Sequence, residues 1–119
     1  MGEETSHIHT DKSIVVLPFV NMSSDPDNEY FSDGITEEII NALTKIDGLK
    51  VIARTSSFAF KGKHVDVREI ARQLDVSSVL EGSVRKVQSR VRITAQLINA
   101  ADGTHFWSRN FDREIEDIF

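Results

Sequence analysis

The stretch "SIVVLPFV", Ser13 to Val20, decides the fold, because it is a continuous apolar run rich in β-branched residues. Such a run is typical of a strand buried on both faces, the central position of a parallel sheet. Pro18 cannot donate to a ladder, so we expect it at the strand's end or at a bulge. The rest of the sheet is then expected to lie on both sides of this strand.

The segment after this strand predicts a loop and then an amphipathic helix. "NMSSDPDNEY" combines Asn, Ser, Asp and Pro, which favour turns. Apolar residues then recur at helical spacing: Phe31, Ile35, Ile39, Leu43 and Ile46. Ser32 or Asp33 is the expected amino-terminal cap, with Asn28 as an earlier alternative. Asp47-Gly48 is the expected end of the helix.

A second strand and a second helix follow. "LKVIAR", Leu49 to Arg54, alternates between apolar and half-polar positions, which favours an edge strand. "TSSFAFKGKH" predicts a loop over residues 55–64. "DVREIARQLD" predicts a helix in which Asp66 and Glu69 form a D-x-x-E capping box.

Three more strands are predicted at Ser78 to Val87, Arg90 to Asn99 and Thr104 to Phe111. Their turns are Gln88-Ser89 and the hairpin signal Asp102-Gly103. The element order is therefore β-α-β-α-β-β-β, and right-handed crossovers place the two helices on opposite faces. We predict a single three-layer α/β domain with a mixed five-stranded sheet of order 2-1-3-4-5, in which the second and fifth strands are the edges.

Composition narrows the class of protein. The 119 residues fit one domain, and the net charge of −5 counts against nucleic acid as a partner. The absence of cysteine excludes disulfides and thiolate metal sites. No apolar run approaches the roughly 20 residues that cross a bilayer. Residues 1–12 lack a secretion signal and are expected to be a disordered tail. The domain is expected over 13–119, as a fragment of a longer chain whose compartment, cytoplasm or periplasm, stays open.

Several phrases of the sequence resemble a TolB amino-terminal-like domain. They are "VVLPFVNMSSDPDNEYFSDGITEEIINALTKIDGLKVIARTSSFAFKG", "DVREIARQL", "VLEGSVRK" and "VRITAQLINAADGTHFWSRNFDRE". They occur in order and cover nearly everything from Ser13 to Phe119. The sequence departs from the family at Asp75, where Gly is usual, and at Asp47, where Pro is frequent.

The resemblance implies both a fold and a role. It implies a fold similar to anticodon-binding-like α/β domains. It also implies a linker or sensory module without activity of its own, in bacterial multidomain signalling proteins. Such modules lie between a cyclase or winged-helix DNA-binding region and tetratricopeptide repeats. The resemblance supplies no catalytic residue and implies no cofactor.

A ligand crevice is the first candidate site. Ligands of open α/β sheets bind beyond the carboxyl ends of parallel strands, which here means residues 21–33 and 55–64. The candidate ligand-binding residues are Asp25, Asp33, Arg54, Ser56, Ser57, Lys61 and Lys63. The acidic first loop could instead pair with the basic second loop. Ordinary solvated loops, with acids near a helix amino end, are the favoured alternative.

An aromatic surface is the second candidate site. Alternation sends Phe106 to one sheet face and Trp107 with Phe111 to the other, so that one set is expected in the core. The other set could lie beside a polar face and dock a partner. The candidate interaction residues are Arg92, Gln96, Trp107 and Phe111. The exposed edge strands also suggest a homodimer.

Catalysis and metal binding have weak signals. "FKGK" lacks P-loop spacing, and no serine lies in a G-x-S-x-G elbow. His7 and His9 supply too few ligands for a closed metal site, while His64 and His105 are isolated. We therefore expect no enzyme activity, cofactor or metal in this chain. The expected partners are neighbouring domains or another protein.

Overall fold

The computed structural model describes residues 12–117 of the chain. The predicted tail up to residue 11, with His7 and His9, lies outside the described residues, and so does Phe119. The helices and strands are β1 (Lys12–Val16), β2 (Val20–Asn21), a 3-10 helix (Pro26–Asn28), α1 (Glu29–Leu43), β3 (Leu49–Val51), α2 (Arg54–Phe58), α3 (Val67–Leu74), β4 (Ser78–Val87), β5 (Arg90–Asn99), β6 (His105–Glu114) and a second 3-10 helix (Ile115–Asp117).

The sheet has the predicted order. Its path is β3-β1-β4-β5-β6, with β1 parallel to both neighbours and the last two pairings antiparallel. The predicted strand of residues 13–20 is divided in two, because Pro18 interrupts the ladder after Leu17 N–H donates to the Leu80 carbonyl at 2.9 Å. The second piece, β2, then pairs with β4 at Val20 and Asn21, so the sheet has six strands.

The two faces of the sheet hold separate cores. Ile14 and Val16 pack with Ile35 and Ile40 of α1 on one face. Val15 packs with Ala71 of α3 on the opposite face. The prediction of helices on both faces of a mixed sheet is therefore confirmed.

α1 begins earlier than the favoured caps indicated. Ser32 and Asp33 lie inside α1, so the prediction that one of them caps it is wrong, and the earlier alternative Asn28 occupies the N-cap position without a side-chain cap hydrogen bond. Buried residues of α1 bind the chain that follows Pro18. Phe19 N–H donates to Thr36 Oγ1 at 2.9 Å, and the Thr36 hydroxyl donates to the Ser32 carbonyl at 3.1 Å. These contacts fix where the β1–β2 segment meets α1.

The predicted capping box of α3 forms only on one side. The Asp66 carboxylate accepts from Arg68 N–H at 2.8 Å, whereas the Glu69 side chain pairs with Arg72. Hydrogen bonds from the Arg68 side chain lower the pKa of Asp66 to about 2. At the other end of α3, Asp75 adopts the left-handed conformation with φ 55°. This is the helix-ending conformation that glycine usually adopts, and Asp75 stands where the family usually has Gly.

The prediction of a loop over residues 55–64 is wrong at its start, where α2 forms. Ser and Thr are poor helix formers, so local propensity gives little sign of this short helix. Tertiary contacts hold it, since the buried Ser57 Oγ donates to the Val16 carbonyl at the end of β1.

Candidate functional site

Ion pairs join the two segments that were predicted to bind a ligand, although their acidic members Glu29 and Asp33 lie on α1. Lys61 Nζ lies 2.7 Å from Asp33 Oδ2 and 3.0 Å from Glu29 Oε2. The hydrogen bond to Asp33 is the main cause that raises the pKa of Lys61, which therefore stays charged at neutral pH. Arg54 Nε lies 2.6 Å from Glu37 Oε2. The expected pairing of the acidic and basic loops is thus present.

The other candidate ligand residues are mostly engaged or apart. Asp25 caps the first 3-10 helix by accepting from Asp27 N–H at 2.9 Å. Ser57 is buried against β1, while Ser56 is exposed. Lys63, like Lys61, lines a cavity beside these ion pairs. The structure therefore brings the predicted residues together as a set of internal contacts, and the open space lies beside them.

The cavity has a volume of about 630 Å³ and lies between the loop before α3, α3 itself and one face of β4 and β5. Its floor is a polar square of two cross-strand pairs, Glu81 with Gln96 and Ser83 with Thr94. Apolar walls come from Leu17, Phe60, Val65, Val67 and Ile70, and Lys63 and His64 also line it. The cavity thus combines an apolar wall with four convergent polar groups.

The polar square is available to a ligand. Its four side chains are half-buried, and they make no hydrogen bond or ion pair with another residue among 12–117. The Glu81 carboxylate accepts hydrogen bonds only, whereas the Gln96 amide and the two hydroxyls both donate and accept. At this floor a neutral polyhydroxyl compound or an amine fits these four groups, because an anion there would meet the Glu81 carboxylate, while Lys61 and Lys63 line the cavity away from the floor strands.

The sequence indicates the polar square in part, although it does not indicate the cavity. Glu81, Ser83, Thr94 and Gln96 occupy alternate positions on adjacent strands, so the alternation could place them on one face. It could not reveal the cavity, because the position of the loop before α3 depends on tertiary contacts.

The candidate interaction residues divide between the two faces of the sheet. Trp107 is opposite Leu97 and Phe111 is opposite Ile93, on the face that carries the α1 core. Arg92 and Gln96 lie on the opposite face, where Arg92 forms an ion pair with Asp112 at 2.8 Å. The four residues therefore do not form one surface.

The expectation that one aromatic set is buried in the core is wrong. Phe106 is 56% exposed and Trp107 39% exposed. Phe111 is half-buried, with the guanidinium carbons of Arg109 and Arg113 lying 5.2 Å and 5.8 Å from its ring centroid. Phe106 and Trp107 therefore remain accessible at the end of the sheet.

Between Lys12 and Asp117, no group of three or more His, Asp or Glu side chains is placed to hold a metal ion. In the same range, no helix has both the length and the apolar character that crossing a bilayer requires.

Residues 10–117 match the family model of the HilA/YgeH-like transcriptional regulator, second domain. A curated relative from Rhizobium meliloti (strain 1021), "Putative adenylate cyclase 3", is 58% identical over 107 residues. That match covers 90% of this chain and 18% of the relative, so the chain spans less than a fifth of the relative's length.

Solved structures show the same fold at low sequence identity. The C-terminal domain of LpoB from Salmonella enterica gives a TM-score of 0.70 at 15% identity, covering 95% of this chain and 91% of that one. TolB from Acinetobacter baumannii gives 0.65 at 11% identity, covering 92% of this chain and 25% of TolB. The resemblance to TolB therefore extends to the fold.

Proposed function

Because the chain belongs to the family of the HilA/YgeH-like transcriptional regulator second domain, we propose that it is a non-catalytic regulatory domain that docks onto another protein surface. The docking surface is the exposed end of the sheet, formed by Phe106, Trp107 and Phe111 on β6. The observation that carries the proposal is the exposure of Trp107 and Phe106 beside a strand edge that no described element pairs with.

The family and the curated relative support a parent protein that transmits a signal. A regulator family and an adenylate cyclase-type relative share this module. The parent is accordingly a cyclase-type protein or a transcriptional regulator, in which tetratricopeptide repeats could adjoin this domain. Within it, this chain would couple its neighbours by contact and carry no reaction itself.

The chemistry of β6 suits a protein interface. Trp and Arg are enriched among the residues that dominate binding energy, and β6 presents Trp107 with Arg109 and Arg113 on one face. Ion pairs hold the strand in place from the other face, since Arg90 Nη1 lies 2.9 Å from Glu114 Oε1 and Arg92 pairs with Asp112. A surface already ordered in the free protein loses little conformational entropy on binding.

Replacing both Trp107 and Phe111 by alanine is expected to weaken docking to the full-length parent protein at least about tenfold, the effect of losing one hot-spot contact. Calorimetric titration of the 119-residue chain against the full-length parent, which carries a copy of this domain together with its neighbours, measures this. Tyr30→Ala is the matched control, because Tyr30 is 87% exposed and lies on α1, away from β6. Equal affinities of the double variant and the wild-type chain, with the fold intact, would contradict the proposal.

The cavity favours a second candidate function, a small-ligand sensor. It differs from the predicted crevice because its polar groups are Glu81, Ser83, Thr94 and Gln96, while Arg54, Asp33 and Lys61 pair with protein groups. The Glu81 carboxylate on the floor favours sugars and amines there, although Lys61 and Lys63 also line the cavity. Binding would change the position of the loop before α3 and so carry a signal to the ion pairs of Lys61.

A thermal-shift screen tests the sensor. A sugar or amine present at about 100 times its dissociation constant should stabilise the native chain by roughly 2.7 kcal/mol and raise its melting temperature. Glu81→Gln should remove most of the shift caused by an amine, whereas Glu38→Gln, an exposed change on α1, should leave it intact. If no sugar or amine stabilises the chain, or if Glu81→Gln leaves the shift unchanged, the sensor function is wrong.

A further inference from the structure

We propose that the partner of β6 is a second copy of this chain, paired antiparallel through the free edge of β6 about a two-fold axis at Asn110. This inference rests on the proposed docking function and names its partner. β6 is a ten-residue strand at the end of the sheet path, and it pairs with β5 on one side only. Such an edge offers a row of backbone donors and acceptors to another strand.

The side chains of β6 form an alternating pattern on one face. Trp107, Arg109, Phe111 and Arg113 lie opposite Leu97, Ala95, Ile93 and Val91, so aromatic and cationic groups follow each other along the strand. Within one copy Phe111 already lies close to Arg109 and Arg113. Because a guanidinium is attracted to the face of an aromatic ring, the best partner strand offers a ring opposite each arginine.

The two-fold axis decides which residues face each other. An axis at Arg109 sets two Arg109 side chains opposite one another, and an axis at Phe111 sets Arg109 opposite the partner's Arg113. Both arrangements oppose like charges, which destabilises a strand pair. An axis at Ser108 avoids this clash, but it leaves the strand beyond Phe111 without a partner.

The axis at Asn110 gives a self-complementary register. Arg109 then faces the partner's Phe111, and Trp107 faces the partner's Arg113. On the opposite face Ser108 lies across from the partner's Asp112, and the two Asn110 amides face one another. Rings and guanidinium groups alternate in both directions across the joined strands, and Phe106 to Glu114 all lie within the ladder.

Cysteine cross-linking tests the register, because the chain contains no cysteine. Asn110→Cys should form a disulfide-linked dimer on mild oxidation, since facing residues of an antiparallel pair lie within the Cα separation of about 4.4–6.8 Å that a disulfide requires. Ser108→Cys and Asp112→Cys should each form no disulfide-linked dimer alone, and should cross-link with each other when mixed. Tyr30→Cys, which is highly exposed on α1, measures random collision.

Sedimentation adds a measurement without cross-linking. Asn110→Asp places two carboxylates across the axis and should raise the dimer dissociation constant about threefold or more, with circular dichroism confirming the fold. The inference is overturned if Asn110→Cys cross-links no faster than Tyr30→Cys, if Ser108→Cys alone cross-links as fast, or if Asn110→Asp leaves dimerisation unchanged. Docking to the parent that depends on Trp107 and Phe111 without any cross-linking would retain the proposed function and overturn this inference alone.

Discussion

Phe19→Ala is expected to lower the free energy of unfolding by about 3–5 kcal/mol, the range for deleting a buried aromatic ring. Phe19 is 1% exposed and belongs to the core that joins β1, α1 and β4. Its backbone N–H is fixed by Thr36, so the chain cannot move easily to fill the space left by the ring. Denaturant titration of the purified chain gives the change from the midpoint and slope.

Phe106→Ala is the matched control for this truncation. It removes the same atoms from a position that is 56% exposed, so the expected change is within about 0.5 kcal/mol. If the two variants lose similar stability, then Phe19 does not have the central role in packing that we assign to it. A domain of this size has a total stability of about 5–15 kcal/mol, so Phe19→Ala could leave much of the chain unfolded at 25 °C.

The sheet could be predicted from the sequence because its strands carry strong patterns. The β-branched run of β1 marks a strand buried on both faces, and right-handed crossovers then leave few orders for the others. The hairpin register follows from alternation together with the turn at Asp102-Gly103. The apolar run, the alternation and the turn can be identified in a single sequence, and the crossover rule then limits the strand order.

Other features depend on contacts that no local pattern encodes. α2 is held by the hydrogen bond from Ser57 to the end of β1 and by the pairing of Arg54 with Glu37. The exposure of Trp107 depends on how far the helices reach across the sheet, which alternation does not tell. The same limit applies to the cavity, whose outer wall is the loop before α3.

Gly82 shows how backbone spacing constrains the sheet beside the cavity. A Cβ built at this residue would lie 2.0 Å from the Thr94 carbonyl oxygen and 2.6 Å from Phe19 Cε2. The carbonyl belongs to the backbone of β5, so it can move away only if the pairing of β4 with β5 is distorted. Gly82→Ala is therefore expected to cost about 3 kcal/mol of unfolding free energy, at the upper end of the usual range for overpacking.

Gly34→Ala is the matched control, because it makes the same change inside α1 with no atom within 4 Å of the new Cβ. Alanine favours the helix over glycine, so this variant should gain up to about 1 kcal/mol. The two substitutions are thus expected to have opposite signs in the same denaturation experiment. Equal signs would mean that the steric contact at Gly82 does not limit the sheet.

Combining Gly82→Ala with Phe19→Ala shows whether the Thr94 carbonyl or the Phe19 ring causes the steric strain of the new Cβ. If the ring causes most of the strain, the double variant should lose clearly less stability than the sum of the single losses. If the Thr94 carbonyl causes it, the losses should add within about 0.5 kcal/mol, because removing the ring leaves the backbone contact unchanged. We expect near-additivity, since the distance to the carbonyl is the shorter one and a ring edge can rotate, whereas a carbonyl oxygen in the ladder cannot.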